Sequence, residues 1–443
     1  MIRVAAGSYE GSLFGWKITP NSIESNDTSV SSKKSGASKK IVKGAEETSV
    51  ELQFGLHISF GSFKTLAVSK SGKYLAVGGM TERIFLYNMN ENKEIGEIFG
   101  HTGAITSLAF FEDSFIISGS EDNTLNVWRV HDRQLLQILG GHKAPVNGFA
   151  VHPTGKLAIS VSKDNTMKLW NLVQGRCSFT RRLRSVPETV LWNPRGDCYL
   201  LATQKEIQLF DINNNNSCKL EIKSTTRINH VAIISLTPDN LTDENSRIVY
   251  IGDNCTINMY DLTGKLTATI CLSSIGLGRL RSMTTCPIFI QDINQENVGI
   301  VIVTSNGCMM IVNALYLEQA YLEEDSPQTE SSEKKTEDTT EPLSRDESIF
   351  GKALYAFHQL KADPRLTAVT AWRVKDKKDG DDDDNVSLIN TVDYADTMND
   401  GAADLDATEE IEDEDDEKVE NKKKRKKVGF QPEVKNKKKK AKK

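Results

Sequence analysis

The sequence predicts an all-β fold, a seven-bladed β-propeller in which each blade is a four-stranded sheet. Three observations support this prediction. Two adjacent segments repeat each other almost without gaps, and weaker copies of the same pattern lie on both sides of them. All these segments consist of short apolar runs separated by turn residues, without a helical period.

The two strongest repeats run over 100–128 and 141–170, and both begin with Gly-His and end with Trp. Trp128 and Trp170 are 42 residues apart. A period of about 40–45 residues with Gly-His near its start and Trp near its end is the signature of WD repeats, in which each repeat contributes four strands. These segments are predicted to form blades 3 and 4 of a WD40 propeller.

Weaker repeats fill the rest of the ring. Blades 2, 5, 6 and 7 are predicted from segments that carry, at the tryptophan position, Tyr87, Phe210, Tyr260 and Val312. The N-terminal VAAGSYEGSLFGW resembles the second and third strands of a blade, and RLTAVTAW at 365–372 resembles a first strand. Blade 1 is therefore predicted to be shared between the two ends of the chain, which closes the ring and hides its sheet faces. The alternative is that 365–372 is a linker.

Three segments fall outside the predicted strands. They cover about 20–49, 318–347 and 375–443, and all three are rich in polar or charged residues. We expect them to be disordered, because they cannot bury enough apolar surface to offset the entropy of ordering. The predicted propeller therefore spans 1–374, with its last strand in blade 7 within 352–360, and an acidic, then lysine-rich tail follows at 375–443.

Charge is strongly segregated along the chain. The net charge is −6, but residues 376–420 carry −17, residues 421–443 carry +12 and residues 318–347 carry −8. The remaining residues therefore carry +7. The folded body is predicted to be basic although the whole chain is acidic.

Several functional classes find no support in the sequence. The seven cysteines are widely spread without a C-x-x-C pair, which fits neither a zinc site nor a disulfide framework and favours a reducing compartment. No apolar run reaches the roughly 18 residues that a membrane span needs, and the first residues lack the pattern of a secretory signal. Phosphate-binding loops and G-x-S-x-G motifs are absent. We expect no metal, no cofactor, no membrane contact and no catalytic residue.

Each strong repeat nevertheless contains a histidine, a serine, an aspartate and a tryptophan. The two sets are His101, Ser118, Asp122 and Trp128, and His142, Ser160, Asp164 and Trp170. Serine, histidine and aspartate are also the groups of a hydrolytic triad, but a nucleophile needs an oxygen that is open to substrate. In a WD blade these side chains instead link Asp to His, His to Ser and Ser to the indole N–H, which satisfies buried polar groups. We expect the structural role.

Basic residues recur around the loops that lead into the first strands of several blades. Arg227, Arg279 and Arg365 align at one equivalent position in blades 6, 7 and 1, and Lys64 and Arg281 stand two positions further on in blades 2 and 7. Arg181, Arg182 and Arg184 are predicted to lie in the loop before blade 5. The whole set, named here the basic arc, comprises Lys64, Arg181, Arg182, Arg184, Arg227, Arg279, Arg281 and Arg365. These loops lie on one face around the mouth of the channel, so the arc is predicted to attract phosphate or an acidic protein. Scattered solvated charge is the alternative.

The end of the chain carries two basic clusters. Their residues are Lys422, Lys423, Lys424, Arg425, Lys426 and Lys427, followed by Lys437, Lys438, Lys439 and Lys440. Such clusters are typical of nuclear targeting or of arms that bind nucleic acid, with a solubilising end as the alternative. We predict a nuclear and nucleolar protein.

The N-terminal RVAAGSYEGSLFGW, the paired repeats, RLTAVTAW and the lysine-rich end together resemble the p21-activated-kinase-interacting family of WD-repeat proteins, with its fungal maintenance-of-killer members. The resemblance covers the whole predicted propeller. It implies a non-catalytic nucleolar scaffold for assembly of the large (60S) ribosomal subunit and for rRNA processing, acting as a monomer within a larger particle. The implied partners are pre-60S assembly factors and ribosomal proteins, and direct contact with ribosomal RNA is left open. For animal members the resemblance also implies a signalling regulator that binds and inhibits a p21-activated kinase.

Overall fold

The computed structural model describes residues 1–20, 48–57, 61–213, 216–236, 245–290, 295–325, 345–360 and 364–374. They belong to a compact unit, Met1–Lys377. The second unit, Lys378–Lys443, lies outside the described residues, and so do both basic clusters of the chain's end. Of the insertion expected over about 20–49, residues 21–47 also lie outside the described residues, whereas Pro20, Thr48 and Ser49 are strand residues and not part of an insertion.

Within the described residues, twenty-eight strands form seven antiparallel four-stranded sheets. Blade 1 begins with β1 (Ile2–Ser8), β2 (Ser12–Pro20) and β3 (Thr48–His57). Blades 2 and 3 consist of β4 (Phe63–Val68), β5 (Tyr74–Gly79), β6 (Ile84–Asn88) and β7 (Lys93–Ile98), and of β8 (Ile105–Phe111), β9 (Phe115–Ser120), β10 (Leu125–Arg129) and β11 (Leu135–Leu139). Blade 4 consists of β12 (Val146–Val151), β13 (Leu157–Ser162), β14 (Thr166–Asn171) and β15 (Arg176–Arg182).

The second half of the chain repeats this order. Blades 5 and 6 consist of β16 (Thr189–Trp192), β17 (Cys198–Ala202), β18 (Glu206–Asp211) and β19 (Ser217–Lys223), and of β20 (Ile228–Ser235), β21 (Ser246–Gly252), β22 (Thr256–Asp261) and β23 (Leu266–Cys271). A short 3-10 helix, Ser273–Ile275, follows. Blade 7 consists of β24 (Leu280–Ile290), β25 (Gln295–Thr304), β26 (Cys308–Asn313) and β27 (Leu354–Gln359), with helices α1 (Ala314–Asp325) and α2 (Arg345–Ala353) between its last two strands, and β28 (Leu366–Arg373) completes blade 1.

The seven sheets are arranged in a closed ring. The first strand of each blade contacts the first strands of both neighbouring blades, in the cyclic order β28, β4, β8, β12, β16, β20 and β24, and β24 again contacts β28. The second strands are almost continuously buried, as in β9, because they are covered by blades on both faces. Outer strands are more exposed: β11 alternates between buried or half-buried and exposed positions, and β15 is exposed over most of its length. The predicted seven-bladed propeller is confirmed.

Blade 1 is built from both ends of the chain, as the repeats predict. Strand β28 pairs antiparallel with β1 from Ile2 opposite Arg373 to Ser8 opposite Leu366. Two further backbone hydrogen bonds flank this pairing: the Val374 N–H donates to the Met1 carbonyl at 3.0 Å, and the Tyr9 N–H donates to the Arg365 carbonyl at 2.8 Å. The ring is thus held closed at this junction by hydrogen bonds and packing.

Side chains at β-bulges connect neighbouring blades. The bulge in β12 falls at Asn147, whose Nδ2 donates to the Pro187 carbonyl of the next blade at 2.7 Å. Asn229 occupies the same place in β20 and donates to the Leu280 carbonyl at 2.8 Å. Thr367, at the bulge in β28, donates its hydroxyl to the Phe63 carbonyl of blade 2. A bulge leaves one residue outside the ladder and redirects its side chain, which here bonds the next blade.

The helices of blade 7 differ from the sequence expectation of disorder over 318–347. Residues 318–325 continue α1, and residues 345–347 begin α2. Leu317 and Phe350 are fully buried in a cluster that includes Ile270 of blade 6. Glu318 forms an ion pair with Arg247 at 3.0 Å. The sequence prediction used the net charge of the whole segment and overlooked the apolar residues near its two ends. Those apolar residues give the helices a packing surface. Residues 326–344 lie outside the described residues.

Loss of β28 tests ring closure. We expect a chain ending at residue 360 to lose cooperative thermal unfolding, or to unfold roughly 10 °C lower, because removal of β28 exposes β1 and leaves the ring open. A chain ending at residue 374 retains β28 and serves as the control. Circular dichroism melting compares the two, and equal midpoints would show that the ring does not depend on this strand.

Candidate functional site

Four side chains of blade 3 form one hydrogen-bonded series. His101 Nδ1 lies 2.7 Å from Asp122 Oδ2, and His101 Nε2 lies 2.7 Å from Ser118 Oγ. The Trp128 Nε1–H donates to the same Ser118 oxygen at 2.7 Å. Because a carboxylate only accepts, we assign the histidine proton to Nδ1, which leaves Nε2 to accept from the serine hydroxyl.

Blade 4 repeats this geometry. The corresponding distances are 3.0 Å from His142 Nδ1 to Asp164 Oδ2, 2.7 Å from His142 Nε2 to Ser160 Oγ, and 2.7 Å from Trp170 Nε1 to Ser160 Oγ. The glycine before each histidine has a φ near +145°, a conformation that side chains disfavour. In blade 3 a Cβ on Gly100 would also lie only 2.7 Å from the Trp128 ring. The Gly-His pair of the sequence pattern therefore has a steric cause.

These two series hold strands together and do not form a reaction centre. Ser118 and Ser160 are 0% exposed, and both oxygens already bond a histidine and an indole. A nucleophile in that position could not reach a substrate. Among the described residues, no group of three His, Cys, Asp or Glu side chains could hold a metal ion. None of the described helices is long and apolar enough to cross a membrane.

The titration of these groups follows from their burial. Burial lowers the pKa of His101 and His142, and the facing aspartates only partly oppose this shift. For Asp164, burial raises the pKa, but hydrogen bonds from the Thr166 hydroxyl, the Lys143 N–H and His142 outweigh it and lower the pKa to about 2. The ground state is thus a neutral histidine beside an ionised aspartate.

The three aligned arginines of the basic arc occupy equivalent backbone positions. The residue that follows the second strand donates its N–H to the arginine carbonyl in each blade, at 3.0 Å for Arg227, 2.9 Å for Arg279 and 2.8 Å for Arg365. All three side chains are exposed, just before the first strand of blades 6, 7 and 1. This end of the ring, which carries the loops into the first strands and the turns between second and third strands, is named here the entry face.

Part of the arc is neutralised by neighbouring carboxylates. The ion pairs are Lys64–Glu121 at 2.8 Å, Arg227–Glu188 at 3.1 Å and Arg365–Glu10 at 2.9 Å. The Arg365 guanidinium also lies 4.8 Å from the centre of the Tyr9 ring. Such exposed pairs contribute little stability but reduce the local positive field. Arg279 and Arg281 are exposed and have no ion pair among the described residues.

Two arginines lie elsewhere than the sequence alignment placed them. Arg181 and Arg182 belong to β15, the outer strand of blade 4, and not to the loop before blade 5. The pairing of β15 with β14 continues to Arg182, which lies opposite Thr166. Arg181 lies over the Phe210 ring, 4.6 Å from its centre, and Nη1 donates to the Asn216 carbonyl at 3.3 Å. Only Arg184 of this group remains in the loop.

The entry face holds further residues that the loop alignment missed. Lys163 and Lys205 lie in the turns between the second and third strands of blades 4 and 5, and both are exposed. Tyr9 and Met80, 56% and 58% exposed, occupy the same turn in blades 1 and 2. The signal was present in the sequence, because these turns open on the same face as the loops into the first strands.

Known proteins share these repeats. A family model described as WD domain, G-beta repeat matches residues 92–129 and 133–171. The p21-activated protein kinase-interacting protein 1-like of Danio rerio is 30% identical over 264 residues, which cover 60% of this chain and 62% of that protein. The p21-activated protein kinase-interacting protein 1 of Homo sapiens is 28% identical over 234 residues, 53% of this chain and 55% of that protein. Protein MAK11 of Saccharomyces cerevisiae is 32% identical over 199 residues, 40% of this chain and 48% of that protein.

The chain carries WD repeats and is similar to these kinase-interacting and MAK11 proteins over the matched residues. The chain spans about half to three-fifths of the length of these relatives. The matched family model describes a repeat and not a catalytic domain.

Each matched repeat is displaced by one strand from a structural blade. Residues 92–129 include the outer strand β7 of blade 2 and the first three strands of blade 3. Residues 133–171 likewise include β11 of blade 3 and the first three strands of blade 4. One sequence repeat therefore contributes strands to two neighbouring blades. The two ends of the chain likewise share blade 1, in which β28 pairs with β1.

Asp164→Asn tests the structural role of the polar series. We expect the free energy of unfolding at neutral pH to fall by about 1–3 kcal/mol, because the amide cannot replace the carboxylate for all its buried donors. Since the folded pKa of Asp164 is lowered to about 2, its contribution is complete above about pH 4 and is lost as the pH falls from 4 towards 2. The lowered pKa of His142 adds a separate loss that begins below about pH 6.5.

Urea denaturation measured between pH 7 and pH 3 checks both statements. Exposed Glu82 provides the control substitution, Glu82→Gln. An Asp164→Asn protein that is as stable as the Glu82→Gln protein throughout would contradict the assignment.

Proposed function

We propose that this protein is a non-catalytic scaffold for assembly of the large ribosomal subunit, which docks on precursor particles through its entry face. The observation that carries the proposal is the exposed positive charge, in matching backbone register, on one face of a closed ring. A rigid ring of this kind presents fixed side chains at low entropic cost of binding. The WD-repeat family supports a binding role, and the resemblance stated above supplies the ribosomal setting.

The charge of the chain supports this setting. Outside its three most acidic or basic segments the chain carries +7, and precursor particles consist of polyanionic RNA with its bound proteins. Arg279 and Arg281 are the exposed, unpaired cations of blade 7 among the described residues, and they are free to meet an anion. The lysine clusters of the chain's end would direct the protein to the nucleus and nucleolus.

Regulation of a p21-activated kinase is the second candidate function. It is favoured by the names of the Danio rerio and Homo sapiens relatives, which are called kinase-interacting proteins. A kinase regulator would bind a folded domain outside any ribosomal particle. The two candidates therefore predict different complexes for the same protein.

Sedimentation of the tagged full-length chain separates these candidates. We expect the protein to migrate with precursors of the large subunit, and we expect Arg279→Glu with Arg281→Glu to shift most of it to the free fractions. Two reversed charges weaken a charge-steered contact by about tenfold or more. The control is Lys156→Glu with Lys265→Glu, an equal change of charge at exposed residues on the opposite face.

Two outcomes of the sedimentation experiment would contradict the proposal in different ways. An unmodified protein that stays in the free fractions with a bound kinase, while depletion leaves rRNA processing normal, would contradict the scaffold proposal. Migration of the Arg279 and Arg281 variant with precursors, equal to that of the control variant, would show that this part of the entry face is not the docking surface.

A further inference from the structure

A cleft of about 810 Å³ opens on the entry face between blades 4 and 5. It lies beside the basic arc but contains none of its residues. Its lining residues include Asn147, Lys163, Val186, Glu188, Lys205 and Glu206. They come from the turns between second and third strands of both blades, from β12, from the start of β18 and from the loop that joins the two blades.

The frame of the cleft is fixed by backbone hydrogen bonds. The Lys163 N–H donates to the Pro145 carbonyl at 3.0 Å, and the Ser224 N–H donates to the Lys205 carbonyl at 2.7 Å. The floor is tied by the bond from Asn147 Nδ2 to the Pro187 carbonyl at 2.7 Å. A site that is held in this way needs little reorganisation to bind a ligand.

The charges that line the cleft are of both signs. The ammonium groups of Lys163 and Lys205 are exposed, and neither has an ion pair among the described residues. Glu188 forms an ion pair with Arg227 of blade 6 at 3.1 Å, so a residue of the basic arc neutralises the Glu188 carboxylate. Glu206 lies beside these groups as a second carboxylate. The two lysines thus remain as the cations that can meet an incoming anion.

We propose that this cleft binds an extended segment of a partner protein in which acidic residues alternate with apolar ones. Lys163 and Lys205 would pair with its carboxylates, and Val186, which is 44% exposed, would cover an apolar side chain. A nucleic-acid backbone fits less well, because its phosphates and sugars offer no apolar side chain to cover Val186. The inference rests on the proposed function, and it names the chemistry of one partner on the entry face.

Fluorescence anisotropy with defined probes tests the proposal on the full-length chain. The probes are a labelled peptide of alternating Glu and Leu, a peptide of equal length and charge with Ser in place of Leu, and oligouridylate. We expect the Glu–Leu peptide to bind most tightly. Lys163→Glu with Lys205→Glu should weaken its binding by about tenfold or more, and Val186→Ser should weaken it while leaving the Glu–Ser peptide unchanged.

The control is again Lys156→Glu with Lys265→Glu, which should bind the Glu–Leu peptide as the unmodified protein does. Equal affinity of all variants for this peptide would overturn the proposal, and so would tighter binding of oligouridylate that is lost in the Lys163 and Lys205 variant. Failure of the peptide experiment with normal sedimentation would remove only the cleft proposal. Normal peptide binding by a protein that never enters precursor particles would remove only the proposed ribosomal function.

Discussion

The pairing of β28 with β1 is the interaction on which the rest of the molecule depends. A blade on its own exposes both faces of a four-stranded sheet, whereas the second strands are almost wholly buried in the ring because a neighbouring blade covers each face. Only a closed ring supplies that neighbour to every blade. Closure requires residues that are more than 360 positions apart in the chain, Ile2 and Arg373 among them, to pair as one ladder. The entry face has a fixed geometry only when this ladder forms.

Closure is reinforced by polar contacts that differ from blade to blade. Blades 3 and 4 carry the complete Asp-His-Ser-Trp series, whereas the bulge residues Asn147, Asn229 and Thr367 bond the backbone of the following blade. Each donor in these contacts has a matched acceptor, and the bulge contacts specify the spacing of neighbouring blades as well as stabilise it. The spacing in turn fixes the separation of Arg279, Arg281 and the lysines of the cleft. The same contacts therefore serve the fold and the binding face.

The fold could be predicted from the sequence because the same strand pattern recurs along the chain. The 42-residue offset of the tryptophans gives the length of a blade, and the partial blades at both ends indicate a closed ring. The site was accessible only in part. Aligning one class of loop placed Arg227, Arg279 and Arg365 in register, but the carboxylates of Glu10, Glu121 and Glu188 that neutralise part of the arc lie in other elements. Such pairs depend on how neighbouring turns approach in space. Arg181 and Arg182 were misplaced because a strand end cannot be located from polar residues alone. The helices of blade 7 were missed because the high charge of the whole segment concealed the apolar residues near its ends, which pack on blade 7 and on β23 of blade 6.

Hydrogen exchange measured by mass spectrometry on the full-length protein tests ring closure most directly. Peptides that cover β1 and β28 should be protected to the same degree as those that cover β8 and β12, and all should exchange together as the protein unfolds globally. Rapid exchange over residues 366–373, while blades 3 and 4 stay protected, would contradict a closed ring and with it the rigid binding face.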